Sequence, residues 1–159
     1  MNNPPGLRDA EVAYIKYPIV MSLPPCLYCV GLPRPEGEMA KTILVADDSP
    51  KMRELLCSLF EPEEDYEICA EAANGQEAID LALKHRPDLV ILDLSMPGMD
   101  GLTVARELRT VLPELPIIMF TQHANLGRHL PGCHLLVDRI VSKSEVGELL
   151  GHVRSLIPV

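Results

Sequence analysis

The sequence is short of basic residues, of long apolar runs and of paired cysteines, and each shortage excludes something. Fourteen Lys and Arg stand against 23 Asp and Glu, for a formal net charge of −9. Phosphate backbones are bound by clustered Lys and Arg, so direct nucleic-acid binding is not expected. No stretch of eighteen uninterrupted apolar residues occurs, so no membrane-spanning helix is expected either. The five cysteines are odd in number and lack a framework spacing, which fits reduced thiols in a cytoplasm. G-x-G-x-x-G and G-x-x-x-x-G-K-[ST] are both missing, which argues against nucleotide binding. The start has no basic region, and prolines interrupt the apolar stretch from Tyr17 to Leu32, so a secretory signal is a poor match. What is present is enough for one domain, with or without a tail: 159 residues, 47% of them hydrophobic. The acidic surplus suits a site made of carboxylates around a cation.

Composition divides the chain near Met39. Seven of the fifteen prolines precede it, and no apolar period runs through them. Proline fixes φ and removes a backbone donor, so residues 1–38 should form few hydrogen-bonded elements. They are expected to be a disordered, Pro-rich tail or an upstream extension, with Met39 as the natural start and residues 39–159 as the domain. Cys26 and Cys29 form a lone C-x-x-C there. With no second ligand pair nearby, metal or redox use is not expected. Cys57, Cys69 and Cys133, in apolar surroundings, read as small core residues.

After Met39, short β-rich runs alternate with helical periods. Strands are expected at Thr42–Ala46, Tyr66–Ala70, Leu89–Leu92, Pro116–Phe120 and Arg139–Ser142. Ser49 can cap a first helix with Pro50 in its first turn and Met52, Leu55, Leu56 and Leu59 on one face. Asn74 with Glu77 resembles a capping box, opening a helix that carries Ala78, Ile79, Ala82 and Leu83. Asp100 with Gly101 caps a third helix carrying Leu102, Ala105, Leu108 and Leu112. Ser144 is the expected cap of the last, whose apolar positions are Val146, Leu149, Leu150, Val153 and Ile157. Strand runs that are apolar on both faces imply a parallel sheet covered on both sides. The fold class is therefore α/β: a doubly wound, five-stranded parallel sheet in a flavodoxin-like three-layer αβα sandwich.

Sites in such sheets lie beyond the carboxyl ends of the strands. Asp47 and Asp48 follow the first strand, Asp93 the third, Thr121 the fourth and Lys143 the fifth. Alone, each has a bland reading: an Asp after a strand is commonly a turn or cap residue, a lone Lys a solvated one, and Thr121 a strand-end turn residue. Together they bring three carboxylates, a hydroxyl and an ammonium to one rim. Crowded carboxylates repel and call for a cation, and hard oxygen ligands with open positions suit Mg²⁺. His85, His123, His129, His134 and His152 have no ligand spacing and read as ordinary surface or core residues. Met96, Pro97 and Met99 read as loop packing and turn formers.

Four segments carry a family resemblance: Ile43-Leu-Val-Ala-Asp-Asp48, Asp93-Leu-Ser-Met-Pro-Gly-Met-Asp-Gly101, Phe120-Thr121 and Ser142-Lys143. Over about residues 41–157 the chain resembles the receiver domain of bacterial response regulators. The resemblance implies that Asp93 accepts a phosphoryl group. It implies that Asp48, Asp93 and the Ser95 backbone carbonyl bind Mg²⁺ directly, with Asp47 holding it through water. Thr121 would hydrogen-bond the acyl phosphate and Lys143 would pair with its oxygens. The implied donor is a phosphohistidine on a sensor histidine kinase or phosphotransfer protein, and the implied output a changed binding surface for a downstream protein effector. A homodimer through the 122–157 face is a further option.

The sequence departs from the family at four places. Ile140 stands where many receivers have an aromatic switch residue, which leaves a Thr121 shift to be transmitted by packing. Gln122 stands where a small residue is usual and would shield the acyl phosphate from hydrolysis. Ser144 replaces a frequent proline after the lysine. Asn125–Cys133, expected as the fourth helix, contains Gly127, Pro131 and Gly132 and should be short and loosely held. Three functions compete. The first is a phosphorylation-driven binding switch without an output domain, for which the chain's end at Val159 leaves no residues. The second, a DNA-binding regulator, needs a helix-turn-helix domain. The third, an aspartate-nucleophile phosphatase, needs Asp-x-Asp after the first strand, where this chain has the adjacent pair Asp47-Asp48. A degenerate receiver, serving as a phosphorylation-independent dimerisation or binding module, is the alternative to the first.

Overall fold

A computed structural model describes residues 40–122 and 133–159. The elements run β1 (Lys41–Ala46), α1 (Pro50–Phe60), β2 (Tyr66–Ala72), α2 (Gly75–His85), β3 (Leu89–Leu92), α3 (Gly101–Val111), β4 (Ile117–Thr121), the single turn α4 (Cys133–Leu136), β5 (Arg139–Ser142) and α5 (Val146–Leu156), with a 3-10 turn at Lys143–Glu145 before α5. All strand pairs are parallel, and the sheet order is β2-β1-β3-β4-β5. The expected doubly wound α/β sandwich is therefore what forms. The expected tail 1–38, the C-x-x-C pair, His123, His129 and all but the last residue of the helix expected at Asn125–Cys133 lie outside the described residues. Among the described residues no helix is long and apolar enough to cross a membrane.

Side chains alternate across each strand, so an all-apolar strand feeds two cores. Leu44, Ala46, Val90, Leu92, Ile117 and Met119 pack against α2 and α3. Ile43, Val45, Leu89, Ile91, Ile118, Phe120 and Val141 face α1 and α5 instead. Asn74 Oδ1 accepts from Glu77 N–H at 3.0 Å while Glu77 Oε2 accepts from Ala73 N–H at 2.8 Å, so the box signature is a real cap. Asp100 Oδ1 caps α3 by accepting from Thr103 N–H at 2.7 Å.

Four readings need correction. The Ser49 side chain makes no cap bond; its N–H donates instead to Asp47 Oδ1 at 2.9 Å. Ser144 does not cap α5, because the 3-10 turn intervenes and Ser144 N–H donates back to Ser142 Oγ. Leu55 and Leu83 are 45% and 42% exposed, and the buried stripes are completed by Phe60 and Leu81. Cys69 belongs to neither core: the β1–β2 register skips it between Ile68 and Ala70, placing it in a bulge. Burial still pushes its thiol up to about 11. Cys57, half-buried, does pack against the α1–α5 core.

Candidate functional site

The chain runs outward from β1 to β2 and then crosses to β3 on the other side of β1, so the crevice between the carboxyl ends of β1 and β3 is a switch point. Two backbone bonds set what projects there. Asp47 N–H donates to the Ala72 carbonyl at 3.0 Å, and Asp93 N–H donates to the Ala46 carbonyl at 2.8 Å. Each bond continues the ladder one residue past a strand and presents a carboxylate at the rim.

The carboxylates of Asp47, Asp48 and Asp93 each offer an oxygen within 4.8 Å of the others. Asp47 and Asp93 are 1% and 4% exposed, while Asp48 is open to solvent. Lys143, its side chain 9% exposed, lies between the two buried ones: Nζ is 2.6 Å from Asp47 Oδ2 and 3.1 Å from Asp93 Oδ2. It is therefore not a solvated surface lysine. Three carboxylates and one ammonium leave a formal charge of −2, the electrostatic condition for a divalent ion. Hard oxygen donors around an open position fit Mg²⁺, with Asp48 the most accessible of them. Both oxygens of Asp47 are already engaged, by Ser49 N–H and by Lys143.

Burial raises the Asp93 pKa from its ordinary value. The Lys143 ammonium opposes that rise, Asp47 adds to it, and the Ser95 N–H that donates to the Asp93 carboxylate opposes it again. Ser95 itself is exposed. Thr121, 1% exposed, ends β4 and pairs in register with Ser142, the residue before Lys143. All the expected rim residues are thus on the carboxyl edge of one sheet. Arg53 and Glu71 were not foreseen from the sequence, and they hold the loop that carries Asp47 and Asp48. Arg53 Nη1 donates to the Asp47 carbonyl at 2.7 Å, and Arg53 Nε lies 3.2 Å from Glu71 Oε2.

Among the described residues, no other group of His, Cys, Asp and Glu is close enough to hold a metal. His85 and His134 are exposed and His152 is half-buried. Two surface grooves avoid the acidic cluster. One, of about 420 Å³, lies between Arg86–Asp88 and Val111–Pro116, and one of about 470 Å³ lies along β5 and α5. Chemistry rather than cavity volume marks the site.

The chain matches the family described as "Response regulator receiver domain" over residues 43–154. It is 38% identical over 111 residues to sporulation initiation phosphotransferase F of Bacillus subtilis, covering 70% of this chain and 79% of that one. It is 39% identical over 83 residues to a protein-glutamate methylesterase/protein-glutamine glutaminase of Hahella chejuensis. That match covers 52% of this chain but only 21% of the relative, so the chain spans about a fifth of that curated relative's length. The response regulator protein TrrA of Thermotoga maritima, solved in complex with Mg²⁺ and BeF, aligns with a TM-score of 0.67 at 40% identity, covering 74% of this chain and 99% of TrrA.

Proposed function

The chain belongs to the response regulator receiver domain family of two-component signalling, and from that membership we propose that Asp93 is its phosphoacceptor. The observation that carries the assignment is the buried triangle of Asp93, Lys143 and Asp47, with Asp48 beside it. In this reading an Asp93 carboxylate oxygen attacks the phosphorus of a phosphohistidine. The new P–O bond forms as the P–N bond breaks, and the imidazole nitrogen keeps the electron pair. A carboxylate nucleophile needs no general base, and Lys143 and the Ser95 N–H oppose the burial that raises the Asp93 pKa.

Asp48, Asp93 and the Ser95 carbonyl would hold Mg²⁺ directly, and Asp47, with both oxygens engaged, would hold it through water. When bound, the ion supplies charge neutralisation on the transferring phosphoryl oxygens. Lys143 would leave Asp93 to pair with the acyl phosphate, staying tethered by Asp47. Thr121 would hydrogen-bond the same group, coupling phosphorylation to β4 and its neighbours. The domain would act as a phosphoacceptor that assists its own phosphorylation and dephosphorylation rather than as an enzyme on a separate substrate.

The proposed donor is a sensor histidine kinase or phosphotransfer protein in a reduced, cytoplasmic setting. The proposed output is a protein effector without an attached output domain, with the 122–157 face as an option for self-association. The match to most of the length of the sporulation phosphotransferase supports the stand-alone reading; a native chain found by intact mass to be longer than 159 residues, with an added domain, would overturn it. The central test is labelling by acetyl phosphate, with and without Mg²⁺, read by intact mass. Wild type should gain one phosphoryl group only with Mg²⁺, and Asp93→Asn should gain none. A folded wild type that stays unlabelled would favour phosphorylation-independent binding instead.

A further inference from the structure

The two adjacent aspartates of the acidic cluster are held very differently. The Asp47 side chain is fixed at both oxygens, by Ser49 N–H and by Lys143. The Asp48 side chain has no hydrogen bond or ion pair among the described residues, and it is exposed. With no partner of its own, it depends on the main chain that carries it for where its Cα–Cβ bond points. The peptide joining Asp47 to Asp48 is clamped from outside the cluster: its carbonyl accepts from Arg53 Nη1 at 2.7 Å, while the preceding Asp47 N–H donates to Ala72 at 3.0 Å.

Arg53 occupies an unfavourable place for a cation. It lies at the amino-terminal end of α1, its own N–H donating to the Ser49 carbonyl, where the helix dipole disfavours positive charge. Glu71, in β2 beside Val45, compensates by accepting from Arg53 Nε. Both side chains are mostly buried. A planar guanidinium can serve a carboxylate and a carbonyl at once, whereas an ammonium lacks that fork.

We propose that Arg53, held by Glu71, is a positioning residue that aims the Asp48 carboxylate at the divalent cation by clamping the Asp47–Asp48 peptide. The inference rests on the cation-dependent reading of the acidic site. Groups that orient metal ligands without touching the ion commonly affect affinity by about 10–100-fold.

The test is Mn²⁺ binding by the full chain, read from the electron paramagnetic resonance signal of the free ion, which requires no phosphoryl transfer. Arg53→Met, which keeps the aliphatic stem, should bind Mn²⁺ roughly tenfold more weakly than wild type. Arg53→Lys should recover part of that loss, and Glu71→Gln, which still offers an acceptor oxygen, should lose less than Arg53→Met. Arg109→Met, which loosens the opposite edge of the fold, should bind as wild type does and so separates positioning from general destabilisation. A wild type that fails to bind Mn²⁺ would overturn the cation reading and this inference with it. A wild type that binds, with Arg53→Met or, should that variant not fold, Glu71→Gln binding equally well, would overturn the inference alone.

Discussion

At Gly101 the loop that follows β3 leaves no space for a methyl group. A Cβ there would collide with the Asp93 carbonyl oxygen and sit 3.0 Å from Leu94 Cα, while Gly101 N–H donates to the Leu94 carbonyl. Gly98, with φ +81°, is different: it has open space around it and is chosen for its backbone angle. Gly101→Ala should therefore cost about 3 kcal/mol, at the upper end of overpacking penalties, and Gly98→Ala only about 1–2 kcal/mol for a left-handed residue with a Cβ. Urea unfolding would measure both, and the reverse order would refute the close-approach account. Asp93 yields a prediction of opposite sign. Burial raises its pKa in the folded state, so between the unfolded and folded values the native protein binds more protons and stability falls as pH rises through that window. Asp93→Asn, measured in a chelator, should melt a few degrees higher than wild type at pH 7, with the gain shrinking as pH drops below the folded value. An equal gain at all pH values would show that ionisation is not the cause. The rim carboxylates, Thr121 and Lys143 were legible in the sequence because each directly follows a strand-like run. The Arg53–Glu71 clamp was not, because a bond to a main-chain carbonyl and a partner eighteen positions away leave no local pattern.

Among the elements, periodicity located every described strand and all four of the longer helices, yet misassigned two side chains. In α1 the stripe through Met52, Leu56 and Leu59 is completed by Phe60, and Leu55 falls on its solvent side. In α2, Leu81 packs inward where Leu83 was expected. Both errors arise because i+3 and i+4 steps are equally compatible with a short period, and only the partner surface decides. Nothing in that pattern hints at the clamp that ties α3 to β5. Arg109 Nε donates to the Leu136 carbonyl at 3.0 Å, and Nη1 donates to those of Pro113 and Leu115. Its Nη2 lies 2.6 Å from Asp138 Oδ2, which also accepts from Ile117 N–H. One guanidinium thus joins the end of α3, the loop before β4, the end of α4 and the start of β5. Arg109→Met should cost about 2–3 kcal/mol, the scale of losing hydrogen bonds to a charged donor. Arg109→Lys should recover little, since an ammonium cannot span these acceptors. A loss below about 0.5 kcal/mol in urea unfolding would mean that water replaces the clamp at no cost, as it does at most surface ion pairs.

For the molecule as a whole, continuous apolar strands made the parallel, two-sided sheet legible, whereas the order β2-β1-β3-β4-β5 is a property of connections that periodicity does not encode. That order brings Asp47 and Asp48 beside Asp93, forty-five positions later, and so concentrates charge of one sign at a single rim of a chain whose formal net charge is already −9. Two different effects of salt on stability follow. Screening relieves diffuse repulsion and depends on ionic strength, whichever cation supplies it. Occupation of the rim by Mg²⁺ would act by mass action on the native state alone, and would add about 2.7 kcal/mol at a hundredfold excess over Kd. Wild type titrated with MgCl₂ at fixed ionic strength should therefore show a melting temperature that rises and levels off, and a chelator should reverse it. Asp48→Asn should flatten the rise, because it removes the most accessible of the three carboxylates while leaving the Lys143 pairs with Asp47 and Asp93 in place. If NaCl at matched ionic strength raised the melting temperature as much as MgCl₂, the acidic surplus would be acting only as diffuse charge, and the rim would have no claim to be a cation site.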